Sequence, residues 1–308
     1  MVVCNLCPKL CNLKDGEYGD CRLRKNHNGS IVLDHYGLFS TVTVEPIEKK
    51  PIFHYRPGIK TLNVGTWGCN LECNYCANYN ISQKDIKDKT KYYSVLDLNE
   101  LASKKECQAI CFTFNEPTVY KEYIEDLYNV TEKDIIIKSN GLMNCTEFIS
   151  FIKKIKSINI DWKGSISHYE NFIKNEEKAI AAVNYLKQNL YTASKNTHLE
   201  ISIPIYKGST YDSLSLSSLD VDKNVPIHLL RVYSTSNYDV ESTLMEEIDE
   251  IYNNLSKRYN YVYVGNVFGD NNKRNTHCNS CKKLLIKRYG LNTEIVDKCL
   301  EHNNNIIY

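Results

Sequence analysis

Three cysteines, at 69, 73 and 76 in the stretch GCNLECNYCAN (residues 68–78), stand in C-x3-C-x2-C spacing with no fourth cysteine beside them. Four thiolates complete an iron–sulfur cluster or a tetrahedral zinc, whereas three on one short loop leave a metal position for a ligand the polypeptide does not supply. Gly68, Asn70, Glu72 and Asn74 are loop formers, which argues against the trio being core filling. A zinc with a distant fourth ligand is the rival that spacing alone leaves standing. Two further groups carry metal-ligand chemistry. Cys4, Cys7, Cys11 and Cys21, in a turn-rich stretch with Pro8, Gly16 and Gly19, could close a zinc or a second iron–sulfur cluster, or be free thiols in a compact arm. Cys278-x2-Cys281 followed by Cys299-x2-His302 has knuckle-like spacing, and three sulfurs with an imidazole suit zinc; an auxiliary cluster, a site shared by both termini, and a solvated His302 in the polar EHNNN run stay open. Cys107, Cys111 and Cys145 lack partners at ligand spacing and read as core packing.

A loop of this kind has to be held by rigid elements. The middle of the chain alternates β-branched runs with helical patterns, the signature of βα units around a parallel sheet. Strands are expected at 61–66, 109–114, 134–140, 157–162, 197–205 and 226–234, so that the cysteine loop follows directly on the C-terminal end of the first, where parallel βα folds place their chemistry. Between strands, Val119, Tyr123, Ile124, Leu127 and Tyr128 share one helical face, and Leu244, Ile248, Ile251 and Leu255 another. Ser94, three residues before Asp97, signals a helix start, and Thr146 is expected to open the helix of EFISFIKKI. Six βα units fall short of the eight that close a barrel. The expected fold is therefore α/β, a partial (β/α)6 barrel over 58–258, between a Cys-rich N-terminal extension (1–57) and a C-terminal strand with a Cys/His segment (259–308).

Composition narrows the partners. At 308 residues and 42% hydrophobic the chain can bury a full core, and a formal charge of +1 with interspersed signs predicts no attraction to nucleic acid or anionic membrane. No leader-like start and no run of 18 apolar residues is present, which points to a cytoplasmic protein, and clustered cysteines in so large a chain favour metal ligation over disulfides. The 23 tyrosines form no pattern and carry no functional reading.

Cys69-x3-Cys73-x-Tyr75-Cys76, with an aromatic before the last cysteine, resembles the signature of radical S-adenosylmethionine (SAM) enzymes. Further strings fit in order, each at an expected strand end: Phe112-Thr113-Phe114-Asn115-Glu116-Pro117-Thr118 resembles a Gly-Gly-Glu-Pro motif, Ser139-Asn140-Gly141 stands where relatives carry Thr-Asn-Gly, Asp161-Trp162-Lys163 where they carry Asp-Leu-Lys, and Pro226-Ile227-His228 resembles a Pro-x-His segment. Cys4-x2-Cys7-Pro8-x2-Cys11, Gly19-x-Cys21-x2-Arg24-x-Asn26, Tyr36-Gly37, Pro46-Ile47-Glu48-Lys49-Lys50-Pro51 and Tyr263-Val264-Gly265-Asn266 extend the likeness nearly end to end, to the radical SAM enzymes of the AmmeMemoRadiSam system, relatives of pyruvate formate-lyase activating enzyme.

That resemblance implies a [4Fe–4S] cluster on Cys69, Cys73 and Cys76 whose open iron is chelated by SAM. It further implies reductive cleavage of SAM to a 5′-deoxyadenosyl radical that abstracts hydrogen from a substrate, or, as the alternative, activation of a glycyl-radical enzyme. Tyr75, Asn115, Glu116, Ser139, Asn140, Asp161, Lys163 and His228 are the residues it places around SAM. The partners it implies are a low-potential electron donor such as ferredoxin or flavodoxin, and AMMECR-type and Memo-type proteins. One departure stands out: glycyl-radical activases typically carry an acid before the Thr-Asn-Gly triplet, holding a monovalent cation, and here the residue is Lys138, whose ammonium should meet a carboxylate instead. A rival of another class is a zinc-binding or electron-transfer protein without SAM chemistry, which leaves the strand-end strings without a purpose.

Overall fold

The computed structural model describes residues 1–84, 90–235, 238–239, 241–267, 272–290 and 292–308. At its centre is an eight-stranded sheet: β1 (Thr41–Pro46), β2 (Lys60–Gly65), β3 (Ala109–Phe112), β4 (Asp134–Ser139), β5 (Ser157–Asp161), β6 (His198–Ile205), β7 (Ile227–Arg231) and β8 (Val262–Gly265). Neighbours in space are neighbours in sequence, from β8 at one edge to β1 at the other, and the sheet stays open. All pairs are parallel except β1 with β2, which run antiparallel from Thr41 opposite Gly65 to Pro46 opposite Lys60. The fold is thus the expected partial α/β barrel, with seven parallel strands where the sequence suggested six. β1 and β8 come from the flanking stretches and extend the sheet at both edges.

Parallel neighbours need long crossovers, and helices supply most of them. α1 (Tyr79–Ser82) and α2 (Val95–Lys104) lie between β2 and β3, α3 (Lys121–Tyr128) and α4 (Cys145–Ile152) follow β3 and β4, α5 (Ile166–Ile173) and α6 (Glu176–Asn196) follow β5, and α7 (Met245–Leu255) joins β7 to β8. Ser94 caps α2 in a reciprocal capping box with Asp97, as its spacing foretold. α4 departs from expectation: its cap is Asn144, whose side-chain oxygen accepts from the Thr146 N–H. Asn at this position satisfies an orphan donor as well as a Thr146 cap would, and the helix starts two residues sooner. Tyr128 and Leu244 lie outside the buried faces proposed for them, at 44% and 47% exposure, because each sits at a helix terminus where the stripe has rotated toward solvent.

Strand alternation sorts the sheet's two faces. Ile135, Ile137, Ile158 and Ile160 are fully buried against the helices, while Asn63, Lys138, Asn159, Asp161, Glu200 and Ser202 alternate with apolar neighbours on their strands. An interior this polar is unlike the filled core of a closed barrel, and its groups must find partners or a ligand. A small apolar layer of Ile47, Ile52, Tyr55, Ala109, Cys111 and Ile136 closes part of it. Of the three cysteines read as core, Cys107 and Cys111 are buried and Cys145 is half-buried.

Two small units flank the barrel. The N-terminal one pairs Val2–Val3 with Asn12–Leu13 and Arg24–His27 with Ser30–Leu33. The C-terminal one is an antiparallel sheet of β9 (Thr276–His277), β10 (Leu284–Tyr289) and β11 (Asn292–Ile295). Among the described residues no helix is long and apolar enough to cross a membrane.

Candidate metal and cofactor site

The cysteine loop leaves the end of β2 and is clamped from β3. Strand β3 stops at Phe112, and Phe114 takes a left-handed φ of 74°, which turns Asn115 and Glu116 inward. The Asn115 side chain spans the loop's entry: Nδ2 lies 2.6 Å from Thr66 Oγ1, 2.9 Å from the Trp67 carbonyl and 2.8 Å from that of Gly68, and Oδ1 accepts from the Thr66 N–H. Its hydrogen-bonding capacity is spent on the backbone before Cys69, so it acts on a bound group through the loop. At Gly68, with φ +69°, a Cβ would stand 1.9 Å from the Cys21 carbonyl oxygen, so the N-terminal unit packs straight onto this loop.

Glu116, at 1% exposure, is the hub of the next layer. Its carboxylate accepts from Thr118 N–H and Oγ1, Ser139 Oγ at 2.7 Å and the Asn140 N–H at 2.7 Å. Burial pushes its pKa up, and those donors offset part of the rise. Asn140 in turn donates to Asn70 Oδ1 at 2.7 Å, tying the end of β4 to the residue after Cys69. Asn70 was missed by the sequence reading, since an Asn inside a loop is by default a turn former.

At the ends of β4 and β5 the Asp161 carboxylate bridges two lysines, with Lys138 Nζ 2.7 Å and Lys163 Nζ 2.8 Å away. Burial alone would raise the Asp161 pKa, but the two ammoniums bring it down to about 2. Burial lowers Lys138, which also donates to Asn159 Oδ1; Lys163, facing Asp161, Tyr75 and Cys73, is held well above the usual range against its own burial. The ammonium of Lys138 thus meets a carboxylate, as the sequence led one to expect.

These groups surround one cavity of about 520 Å³, lined by Cys69, Cys73, Cys76 and Tyr75 from the loop, by Glu116, Ser139 and Asn140, and by Lys138, Asp161 and Lys163. Lys49 and Lys50, which share Glu45 at 2.7 Å each, also border it, giving a place to the Glu-Lys-Lys string between β1 and β2. Tyr75 stacks on Tyr206 at 5.8 Å and meets Phe172 edge-on, yet its hydroxyl has no hydrogen-bond partner among the described residues, and neither has Asn70 Nδ2.

His228 is placed elsewhere. Glu200 and His228 lie near the N-terminal ends of β6 and β7, whereas the cysteine loop follows a C-terminal strand end, and His228 is no part of the cavity wall. Its Nε2 is 2.6 Å from Glu200 Oε2, and its ring stacks on Tyr263 at 5.2 Å. Glu200, fully buried, also meets His198 Nε2 at 3.0 Å and accepts from the N–H groups of Phe53 and His54. Burial would raise Glu200, but His198 and His228 hold it far below its usual value; burial lowers His228. The visible signal was an acid in HLEISIPI, a strand buried along its whole length.

The outer groups differ. The ligand atoms of Cys278, Cys281, Cys299 and His302 all lie within 4.8 Å of one another, and theirs is the one such convergent set among the described residues. Cys4, Cys7, Cys11 and Cys21 cluster loosely enough to fail that test, though the other three thiols help raise the pKa of Cys7, pushed up to about 12 mainly by burial. Cys69, Cys73 and Cys76 likewise do not converge on a point, which suits thiolates that each bind a different iron of one cluster. That donor set, the orphaned Tyr75 hydroxyl and a cavity in the 300–1,000 Å³ range typical of cofactor sites fit a [4Fe–4S] cluster with SAM.

Comparison with known proteins agrees. A profile of the radical SAM superfamily matches residues 64–214. A protein of Methanocaldococcus jannaschii, itself uncharacterized, is 31% identical over 314 aligned residues, covering 97% of this chain and 91% of its own. The 7-carboxy-7-deazaguanine synthase of Clostridium acetobutylicum is 31% identical over 114 residues, 35% of this chain and 48% of that one. In fold, a radical SAM methyltransferase from Sphaerobacter thermophilus superposes with a TM-score of 0.50 at 11% identity, over 68% of this chain and 67% of its own. The chain belongs to the radical SAM superfamily and is a radical SAM enzyme.

Proposed function

We propose that this enzyme cleaves SAM reductively at a [4Fe–4S] cluster on Cys69, Cys73 and Cys76 and serves the AmmeMemoRadiSam system. When bound, the cluster and SAM supply a carbon-centred radical able to abstract hydrogen from an unactivated position. The observation that carries the reading is three thiols lining one cavity together with the Lys138–Asp161–Lys163 bridge.

The chain's own residues bind, orient and exclude water. Asn115 fixes the entry of the loop, and Asn140 fixes Asn70 within it. Glu116, whose carboxylate accepts from Ser139, Asn140 and Thr118, is the acidic group for an amino group, while Lys163 offers positive charge to a carboxylate. The Tyr75 ring and its free hydroxyl give a flat surface with one donor. His228 supports the floor through Glu200.

A low-potential ferredoxin or flavodoxin is the proposed electron source, and AMMECR-type and Memo-type proteins are the proposed associates. Activation of a glycyl-radical enzyme is the competing use of the same chemistry; the ammonium of Lys138 at the place of a cation-binding acid weighs against it. The test is anaerobic reconstitution with iron and sulfide, then SAM and dithionite. Wild type should release methionine and 5′-deoxyadenosine and C73A should not; equal release by both rejects the proposal. A glycyl-radical EPR doublet raised on a partner protein would favour activation.

A further inference from the structure

We infer that Cys278, Cys281, Cys299 and His302 form a mononuclear zinc site that staples the C-terminal sheet beneath the barrel. The distances discriminate between metals. Cys299 Sγ is 3.5 Å from Cys278 Sγ, 3.5 Å from Cys281 Sγ and 3.2 Å from His302 Nδ1. A tetrahedral zinc with Zn–S bonds of about 2.3 Å separates its sulfurs by about 3.8 Å and sulfur from nitrogen by slightly less. A disulfide would need about 2.05 Å, and a four-iron cluster, which gives each thiolate its own iron, holds its ligands farther apart than a single ion does. The four atoms therefore already stand as the corners of one small tetrahedron, and the ligand set of three sulfurs and an imidazole suits zinc.

Local backbone supports the same reading. The Cys281 N–H points at Cys278 Sγ at 3.4 Å, the Lys282 N–H bonds the Cys278 carbonyl, and Lys282 takes a left-handed φ of 63°, so the C-x2-C segment curls around the sulfur of its first cysteine. The second pair turns likewise: the His302 N–H bonds the Cys299 carbonyl, and Cys299 has φ 43°. Cys278 is buried and Cys281 exposed, which leaves the ion a way in.

The consequence lies outside the metal. β10, which follows Cys281, carries Arg288 at 1% exposure; its guanidinium donates to the Phe53 carbonyl at 2.7 Å and to Thr276 Oγ1 at 2.8 Å. Thr276 Oγ1 meets the Tyr263 hydroxyl at 2.8 Å, and that hydroxyl meets His54 Nε2 at 2.6 Å. Glu200 holds the backbone N–H groups of Phe53 and His54. One hydrogen-bonded path thus runs from the zinc-clasped sheet to the buried acid that seats His228. A sheet of three short strands has little core of its own, so the ion supplies the closure that burial cannot.

The experiment measures metal content of the full chain, wild type against C281S/C299S, H302C and C69A/C73A/C76A. The expected result is loss of one zinc per chain in C281S/C299S, retention in H302C, which keeps a fourth soft ligand, and retention in the loop variant, which loses iron alone. Unchanged zinc in C281S/C299S, whether or not that variant loses iron, or loss of the zinc in the loop variant C69A/C73A/C76A, overturns the inference. If C281S/C299S is insoluble, wild type treated with a zinc chelator is followed by hydrogen exchange. Faster exchange at the Phe53 and His54 amides sustains the staple, and unchanged protection there refutes it.

Discussion

Asp161 is where the cavity's electrostatics can be tested most sharply, through Asp161→Asn. The carboxylate sits 2.7 Å from one ammonium and 2.8 Å from another. At an effective dielectric of 20, each such contact is worth about 6 kcal/mol of Coulomb attraction, most of it offset by the cost of burying three charges. What the substitution exposes is the uncompensated remainder: two ammoniums left facing a neutral amide in a site where their side chains are only 19% and 11% exposed. Breaking a buried pair in this way costs about 3 to 5 kcal/mol, which for a chain of this size lowers Tm by roughly 5 to 8 °C. Lys138→Met alone removes one positive charge and should cost less, because Asp161 keeps Lys163. The decisive measurement is the double variant: K138M should recover at least about 1 kcal/mol in the D161N background, a coupling within the usual range for touching charges. Thermal or urea unfolding of the cluster-free chain reads all four corners of the cycle. Additive effects, or a D161N penalty below about 1 kcal/mol, would refute the claim that Asp161 holds these lysines together.

Three further outcomes follow from the same geometry. Gly68→Ala should loosen the N-terminal unit, seen as early protease cleavage before residue 40, since its Cβ would lie 1.9 Å from the Cys21 carbonyl and the position has φ +69°; an unchanged digestion pattern would count against that packing. Asn115→Ala strips hydrogen bonds from the Trp67 and Gly68 carbonyls, at about 1 kcal/mol each, and iron incorporation on reconstitution should fall while the far-ultraviolet circular dichroism stays. Because the folded pKa of Asp161 is depressed from 3.8 to about 2, its contribution of about 2 kcal/mol is complete above pH 4 and fades as pH drops through that interval, so D161N should flatten the acid limb of the stability profile.

The chemistry of the loop was legible because spacing is local: C-x3-C-x2-C, Asn-Glu-Pro and Asp-x-Lys each lie within one turn, and β-branched runs marked the strands that carry them. Long-range pairings were not. That Asn140 would reach Asn70, or Asn115 the backbone at 66–68, depends on the order of strands, which a parallel sheet fixes only once all crossovers are in place. A C-terminal strand was expected within 259–308, but that β8 joins the sheet as a seventh parallel strand was not, because it was grouped with the C-terminal cysteines; the antiparallel β1 escaped because it lies in the cysteine-rich arm. His228 was assigned by its Pro-x-His context, yet its height on β7 sets it below the cavity, and a tripeptide does not encode height.

Height along the strands divides the polar interior into two sets with separable roles. At the C-terminal ends, Glu116, Lys138, Asp161 and Lys163 open into the cavity; toward the N-terminal ends, Glu200, His228 and Tyr263 are sealed by residues 53–54 and the C-terminal sheet. Glu200→Gln puts this division to the test. The carboxylate serves two imidazoles and two backbone N–H groups, and an amide can accept on one side only, so at least one donor is stranded in a site with no exposure. Destabilisation of about 3 kcal/mol or more is expected, with iron per folded chain unchanged, since no atom of this set borders the cysteines. A variant that kept its Tm but lost iron would mean that the lower set reaches the cluster, and the division by height would fail.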